Sequence, residues 1–249
     1  MKMLRLFISV CLTLVAVVAS ARSFDELHVS GSCNLTVMFN PESVGQLVRD
    51  NISETSDISY SFGGSSLYIS APSVPGSDKL PSLTLYSDSS LRVIEVSGRA
   101  KVHVVSIHST APVALVAAGA ASLSVDEISS PNANISLSGS GKINIPGQLT
   151  ATTLNFSVTG SGSVRADSVT VSTMSVTQRG SGKLVFSGSA RDCSVVERGT
   201  GSVDLRALVA GKFDLKLFGN GRIFYPAGVP VKIGGNSERI IQVKPYQPL

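Results

Sequence analysis

From about residue 96 onward, apolar and polar residues alternate with a period of two. Leu154, Phe156 and Val158 alternate with polar neighbours, as do Phe213, Leu215 and Leu217, and Ala133, Ile135 and Leu137. Such alternation predicts strands with one buried face. It is interrupted about every 20 residues by a small triplet. The triplets are Gly139-Ser140-Gly141, Gly160-Ser161-Gly162, Gly180-Ser181-Gly182, Gly199-Thr200-Gly201 and Gly219-Asn220-Gly221. Weaker copies stand at Gly98-Arg99-Ala100 and Gly119-Ala120-Ala121, and a distant one at Gly31-Ser32-Cys33. Glycine tolerates the backbone angles and close approaches of a tight turn, so the ten glycines of the five full triplets are assigned as structural turns. No helical period is visible after the N-terminal segment.

A fixed period near 20 residues indicates stacked repeats, each too small to bury its apolar face alone. The predicted fold is all-β, a right-handed parallel β-helix in which equivalent positions of successive coils form ladders. The inward ladder is expected to run through Val158, Val176, Val195 and Leu215. An antiparallel meander or sandwich, with a hairpin at each glycine turn, is compatible with the same alternation. Residues 22–245 form one domain on this reading. Residues 22–95 are its irregular first turns or cap, residues 96–234 its regular repeats, and residues 246–249 a tail. Pro72, Pro75, Gly76 and Pro81 mark a loop inside the irregular part.

The N-terminus has another origin. A basic start to Arg5, an apolar run from Leu6 to Val18 and Ala19-Ser20-Ala21 have the layout of a secretory signal peptide, so residues 1–21 are expected to be removed. The apolar run is too short to span a bilayer, and no later stretch is long enough. The mature chain is therefore expected to be exported, to the periplasm, the cell surface or the medium. Loss of Lys2 and Arg5 lowers the formal net charge from +4 to +2, too weak a balance to indicate a nucleic-acid partner. The chain is 43% apolar, enough for a real core, and only 15% charged against an ordinary value of about 25%. Cys33 and Cys193 are far apart in a stacked chain and are expected as two buried thiols rather than a disulfide.

Catalytic chemistry is hard to place. There is no Gly-x-Ser-x-Gly motif, and a phosphate loop would need a helix where a strand follows Gly139-Ser140-Gly141-Lys142. Calcium-binding β-rolls carry Asp after the glycines, whereas Lys142, Ser163, Lys183, Ser202 and Arg222 stand there. His28, His103 and His108 lack metal-ligand spacing. Asp126, Asp167, Asp192, Asp204 and Asp214 take different phases of the repeat, unlike the convergent carboxylates of a polysaccharide lyase or hydrolase. No enzyme activity, metal or cofactor is expected.

Three features bear on binding instead. Gln178 and Glu197 stand where other repeats have Val158 or Leu217, and Arg179 and Arg198 follow them. These four residues are expected either as a solvated corner or as a ligand-facing patch, because arginine forks recognise carboxylates and phosphates. Lys142, Lys183 and Arg222 form an exposed cationic strip, expected either as a solubilising face, as most such rows are, or as a ligand-facing one. Tyr60, Tyr68, Tyr86 and Tyr246 are the aromatics most open to glycan stacking.

Taken as a series, the Gly-Ser-Gly repeats, the opening Phe24 to Gly31 and the closing Gly219 to Tyr225 with Gly228 and Pro230 resemble the family named putative auto-transporter adhesin, head GIN domain. The resemblance covers roughly residues 24–240 and implies a right-handed β-helix exported by Bacteroidetes or their relatives. It carries over no catalytic residue. Arg99, Ala100, Ala120 and Ala121 depart from the pattern, which puts the shape of the early turns in question. The expected function is an exported, non-enzymatic scaffold that binds a protein or a glycan. A self-associating, homo-oligomeric envelope component and a polysaccharide-active enzyme are the alternatives.

Overall fold

The structure, a computed structural model, describes residues 16–17, 22–49, 58–72 and 80–244. Most of the predicted leader and of the proline-marked loop, together with Tyr246 and the 246–249 tail, lies outside the described residues. The chain winds into a parallel β-solenoid of about eight turns. From Val93 onward every strand pairing is parallel, which overturns the antiparallel meander.

The regular coils run through β10 (Val113–Gly119), β11 (Ser122–Gly139), β12 (Lys142–Gly160), β13 (Ser163–Gly180), β14 (Lys183–Gly199) and β15 (Ser202–Leu217). Strand β12 shows the design. It pairs with β13 in three stretches, residues 142–145, 148–151 and 153–160, with a register shift between Ile145 and Gln148 and an unpaired residue at Thr152. Ile143 and Ile145 point inward from the first stretch, Leu149 and Ala151 from the second, and Leu154, Phe156 and Val158 from the third. Phe156 and Phe186 meet inside the stack with ring centroids 4.8 Å apart. Register corrects one detail of the expected inward ladder. Val176, Val195 and Leu215 stack on Phe156, whereas Val158 belongs to the next ladder, with Gln178, Glu197 and Leu217.

At the N-terminal end, spatial order departs from chain order. Strands β2 (Glu26–Gly31) and β3 (Asn34–Phe39) form the first coil in the sequence but the second in the stack. On one side they pair with β6 (Ser66–Ala71) and β7 (Ser82–Ser87). On the other they pair with β8 (Val93–Val96) and β9 (Lys101–His108). The chain thus starts one coil in, reaches the end, and crosses back over its own first coil. Two antiparallel strands cover the end coil, β4 (Leu47–Arg49) on β7 and β5 (Ser59–Gly63) on β6. They occupy the hydrogen-bonding edge that a bare end coil would expose. The short β1 (Ala16–Val17) pairs with β4. At the C-terminal end lie β16 (Arg222–Pro226), β17 (Val231–Gly235) and β18 (Ile240–Val243).

The early turns keep the shape of the later ones. Ala120 N–H donates to Gly98 O and Ser122 N–H to Ala100 O, as Ser140 N–H does to Gly119 O and Lys142 N–H to Ala121 O. Ala100 and Ala121 are fully buried, their methyl groups filling the inside of the turn. Cys33 occupies the equivalent position one coil earlier, where Lys101 N–H donates to its carbonyl. Cys33 and Cys193 are buried free thiols. Burial pushes Cys33 up to about 11 and Cys193 to about 12, so thiolate is scarce at neutral pH. Neither thiol should react with iodoacetamide in the native protein, and both should react once it is unfolded in guanidinium. Prompt labelling of the native protein, read by intact mass, would contradict their burial.

Candidate functional site

Each coil closes at its glycine turn, and the turns stack into one continuous ridge. At all ten assigned glycines a Cβ would fall within 2.6 Å of a carbonyl oxygen in the preceding coil. Gly160 also has φ +109, in the region that L side chains avoid. Gly199 lacks a left-handed φ, yet its Cβ would stand 2.1 Å from Gly180 O. Close stacking of backbone on backbone is therefore the common requirement.

Three rows of outward side chains follow this ridge. The apex carries Arg99, Ala120, Ser140, Ser161, Ser181, Thr200 and Asn220, all exposed. On the downstream flank the register places Lys101, Ser122, Lys142, Ser163, Lys183, Ser202 and Arg222 in one ladder. Lys101 thus joins the predicted strip of Lys142, Lys183 and Arg222, and all four are exposed. The upstream flank carries Ser138, Thr159, Arg179 and Arg198 in register, and then Phe218. These rows contain no acidic residue, and among the described residues none of their cations forms an ion pair within 4.0 Å, although Lys183 attracts Asp204 at longer range.

The four residues expected to act as one patch are split by the sheet. Arg179 and Arg198 point outward side by side, and the Arg198 guanidinium lies 4.9 Å from the centroid of the half-exposed Phe218 ring. Gln178 and Glu197 point into the core and have 0% exposure, so neither a solvated corner nor a ligand-facing role describes them. Glu197 therefore does not offset the adjacent arginines. Phase decides this: both residues hold positions that alternate inward in every regular coil. Gln178 Nε2 donates to Gly182 O at 2.5 Å, while its Oε1 has no partner. Neither oxygen of Glu197 has a well-formed hydrogen bond, the Gly201 backbone N–H being its weak donor. Burial pushes the Glu197 carboxyl up to about 7, against a smaller pull downward from the Gly201 backbone.

Outward carboxylates elsewhere are engaged. Asp126 contacts His103 at 2.9 Å, Asp167 contacts Arg165 at 2.8 Å, and Asp204 contacts Arg206 at 2.6 Å. Asp192 holds Lys212 at 3.2 Å and Asp214 holds Lys216 at 3.3 Å. The Lys212 hydrogen bond holds Asp192 below the usual carboxylate range, and the Arg206 hydrogen bond does the same for Asp204. A general acid needs the opposite shift.

A second surface feature comes from the displaced N-terminal coil. His28 stacks on Tyr68, with centroids 4.7 Å apart and planes 11° from parallel. Its Nδ1 lies 2.9 Å from Glu95 Oε2. These side chains line an open, mainly apolar groove of about 350 Å³ together with Ser30, Ser70, Ser97, Val116 and Ala118. Tyr68 was predicted to be open and is 45% exposed. The grouping was not legible, because three strands distant in sequence meet there in non-sequential order. Among the described residues no group of His, Cys, Asp or Glu could hold a metal ion. None of their helices is long and apolar enough to cross a membrane.

Comparison with known proteins agrees with this architecture. A family model described as putative auto-transporter adhesin, head GIN domain, matches residues 23–184 and again 133–233. The crystal structure of a putative adhesin from Parabacteroides distasonis is similar at 18% identity and a TM-score of 0.72, covering 91% of this chain and 92% of that one. A putative lipid binding protein from the same species is similar at 17% identity and a TM-score of 0.67, covering 87% and 90%. A putative adhesin from Parabacteroides merdae gives 14% identity and a TM-score of 0.64, covering 90% and 93%. At these identities the likeness is one of fold. No curated protein matches the sequence.

Proposed function

Because this chain belongs to the putative auto-transporter adhesin, head GIN domain family, we propose that it is an exported, non-enzymatic scaffold. It would hold an extended partner, a protein or a glycan, along its outer ladders at the cell envelope. The observation that supports this reading most is the continuity of the ridge across successive coils. Register fixes hydroxyls and cations in parallel rows over many coils, a geometry suited to a long ligand rather than a small molecule in a cavity. The engaged carboxylates speak against hydrolysis at this surface. Incubation of the purified protein with a panel of polysaccharides and peptides tests the reading, with binding and chain length both measured. Saturable binding with unchanged chain length is expected. Shortened chains would replace the scaffold with an enzyme.

Self-association is the second reading, and the C-terminal coil favours it. Among the described residues β17 pairs only with β15 and β18 only with β16, and Ile233 and Ile241 are exposed there. Sedimentation that depends on protein concentration, together with an absence of any bound partner, would favour it over the scaffold.

A further inference from the structure

The downstream flank of the ridge has a charge pattern that solubility alone does not explain. Seven consecutive coils read Lys101, Ser122, Lys142, Ser163, Lys183, Ser202, Arg222. Successive strands in a sheet lie ~4.8 Å apart, so the four cations recur every ~9.6 Å over ~29 Å. Alternation with serine avoids placing like charges directly opposite one another. An acidic residue at the serine positions would do that as well and add attraction. A charged pair of this kind stands elsewhere on the molecule, where Asp192 faces Lys212 of the next coil. On the ridge the intervening residue is instead a small hydroxyl, and among the described residues none of the four cations forms a close ion pair, Lys183 acting on Asp204 only at longer range.

Resting on the scaffold reading above, we propose that this row is the docking track for a linear acidic polysaccharide carrying one carboxylate or sulfate per disaccharide. Two observations fit that occupant in particular. The ~9.6 Å repeat of the cations is close to the length of an extended disaccharide, so one anionic group can meet each cation without a change of pitch. Between the cations, Ser122, Ser163 and Ser202 offer hydroxyls, as do Ser140, Ser161, Ser181 and Thr200 along the apex. Sugar hydroxyls can pair with these, which a bare array of charges would not provide. The chain would lie parallel to the solenoid axis, along the row of four cations. The coil backbone holds the rows rigid, so little is lost in ordering the protein on binding.

Hyaluronan, which carries one carboxylate per disaccharide, is a direct probe. It would be immobilised beside neutral dextran and double-stranded DNA, and binding of the purified protein measured at physiological salt. Saturable binding to hyaluronan, none to dextran and weaker binding to DNA are expected. In a size series of hyaluronan oligosaccharides, affinity should rise up to four disaccharides, one for each cation. The variant K101Q/K142Q/K183Q/R222Q should lose roughly tenfold or more in affinity while its melting temperature stays unchanged, because all four side chains are exposed. The variant K212Q/K216Q/K232Q/K244Q makes the same change in net charge away from the row and should bind within about twofold of the parent. Equal losses in both variants, or DNA binding as tight as hyaluronan and equally dependent on the four residues, would reduce the row to a generic cationic surface and overturn the proposal. Failure to bind hyaluronan overturns it too. If a neutral glycan or a peptide then binds regardless of the four substitutions, the scaffold reading stands without the track. If no partner of any class binds, the scaffold reading falls with it.

Discussion

Replacing Glu197 by glutamine is expected to stabilise the protein by about 3 kcal/mol at pH 8 and to leave it unchanged near pH 4. The carboxyl is fully buried, the Gly201 backbone N–H gives it only a minor pull downward, and burial pushes it from an ordinary 4.5 up to about 7. A raised carboxyl binds its proton more tightly in the folded than in the unfolded chain. Stability should therefore fall as pH rises from about 4.5 to about 7, and stay low above that. The penalty is absent below the unfolded value and complete above the folded one. Its ladder neighbours Gln178 and Leu217 do not titrate, and Arg179 and Arg198 face outward, so no nearby cation compensates inside the core. Glutamine at 197 removes the charge and supplies an amide donor of the kind Gln178 directs at Gly182 O. Thermal unfolding between pH 4 and pH 9 measures the effect. The variant should lose the slope of the parent and melt roughly 6 to 12 °C higher at pH 8. Parallel curves for the two proteins would mean that Glu197 reaches solvent after all.

Glu197 also shows where the sequence misleads. Period placed it and Gln178 inside the coil, while chemistry argued for a position outside. The backbone alternation prevails, because a shift of one residue would expose the entire inward row of its coil. The repeat, the glycine turns and the stacking of coils were legible because each depends on neighbours about 20 residues away. Lys101 was missed as a member of the cationic row because its triplet reads Gly98-Arg99-Ala100, although its turn makes the same hydrogen bonds. The grouping of His28, Tyr68 and Glu95 was beyond reach for another reason. It depends on β2 lying between β6 and β8, and no local pattern encodes an order in which the chain passes over its own first coil.

Substituting alanine for Gly160 is expected to cost roughly 3 kcal/mol or more, from strained backbone and overpacking together. Its φ is +109, and the added methyl carbon would stand 2.4 Å from Gly139 O, a backbone atom held in the ladder. Two further glycines separate those causes. Gly64 has φ +65 with no atom within 4 Å of an added Cβ, so Gly64→Ala should cost only ~1–2 kcal/mol, the backbone share. Gly199 has no left-handed φ but would clash at 2.1 Å with Gly180 O, so Gly199→Ala should cost far more than Gly64→Ala. Denaturant unfolding of the three variants ranks them. A Gly199→Ala protein as stable as the parent would show that backbone angle, not close stacking, selects glycine along the ridge. The consequence extends beyond stability, because each coil contacts only its neighbours. A methyl group between the Gly139 and Gly160 turns pushes apart the coils that carry Lys142 and Ser163, and with them the spacing on which the cationic row depends.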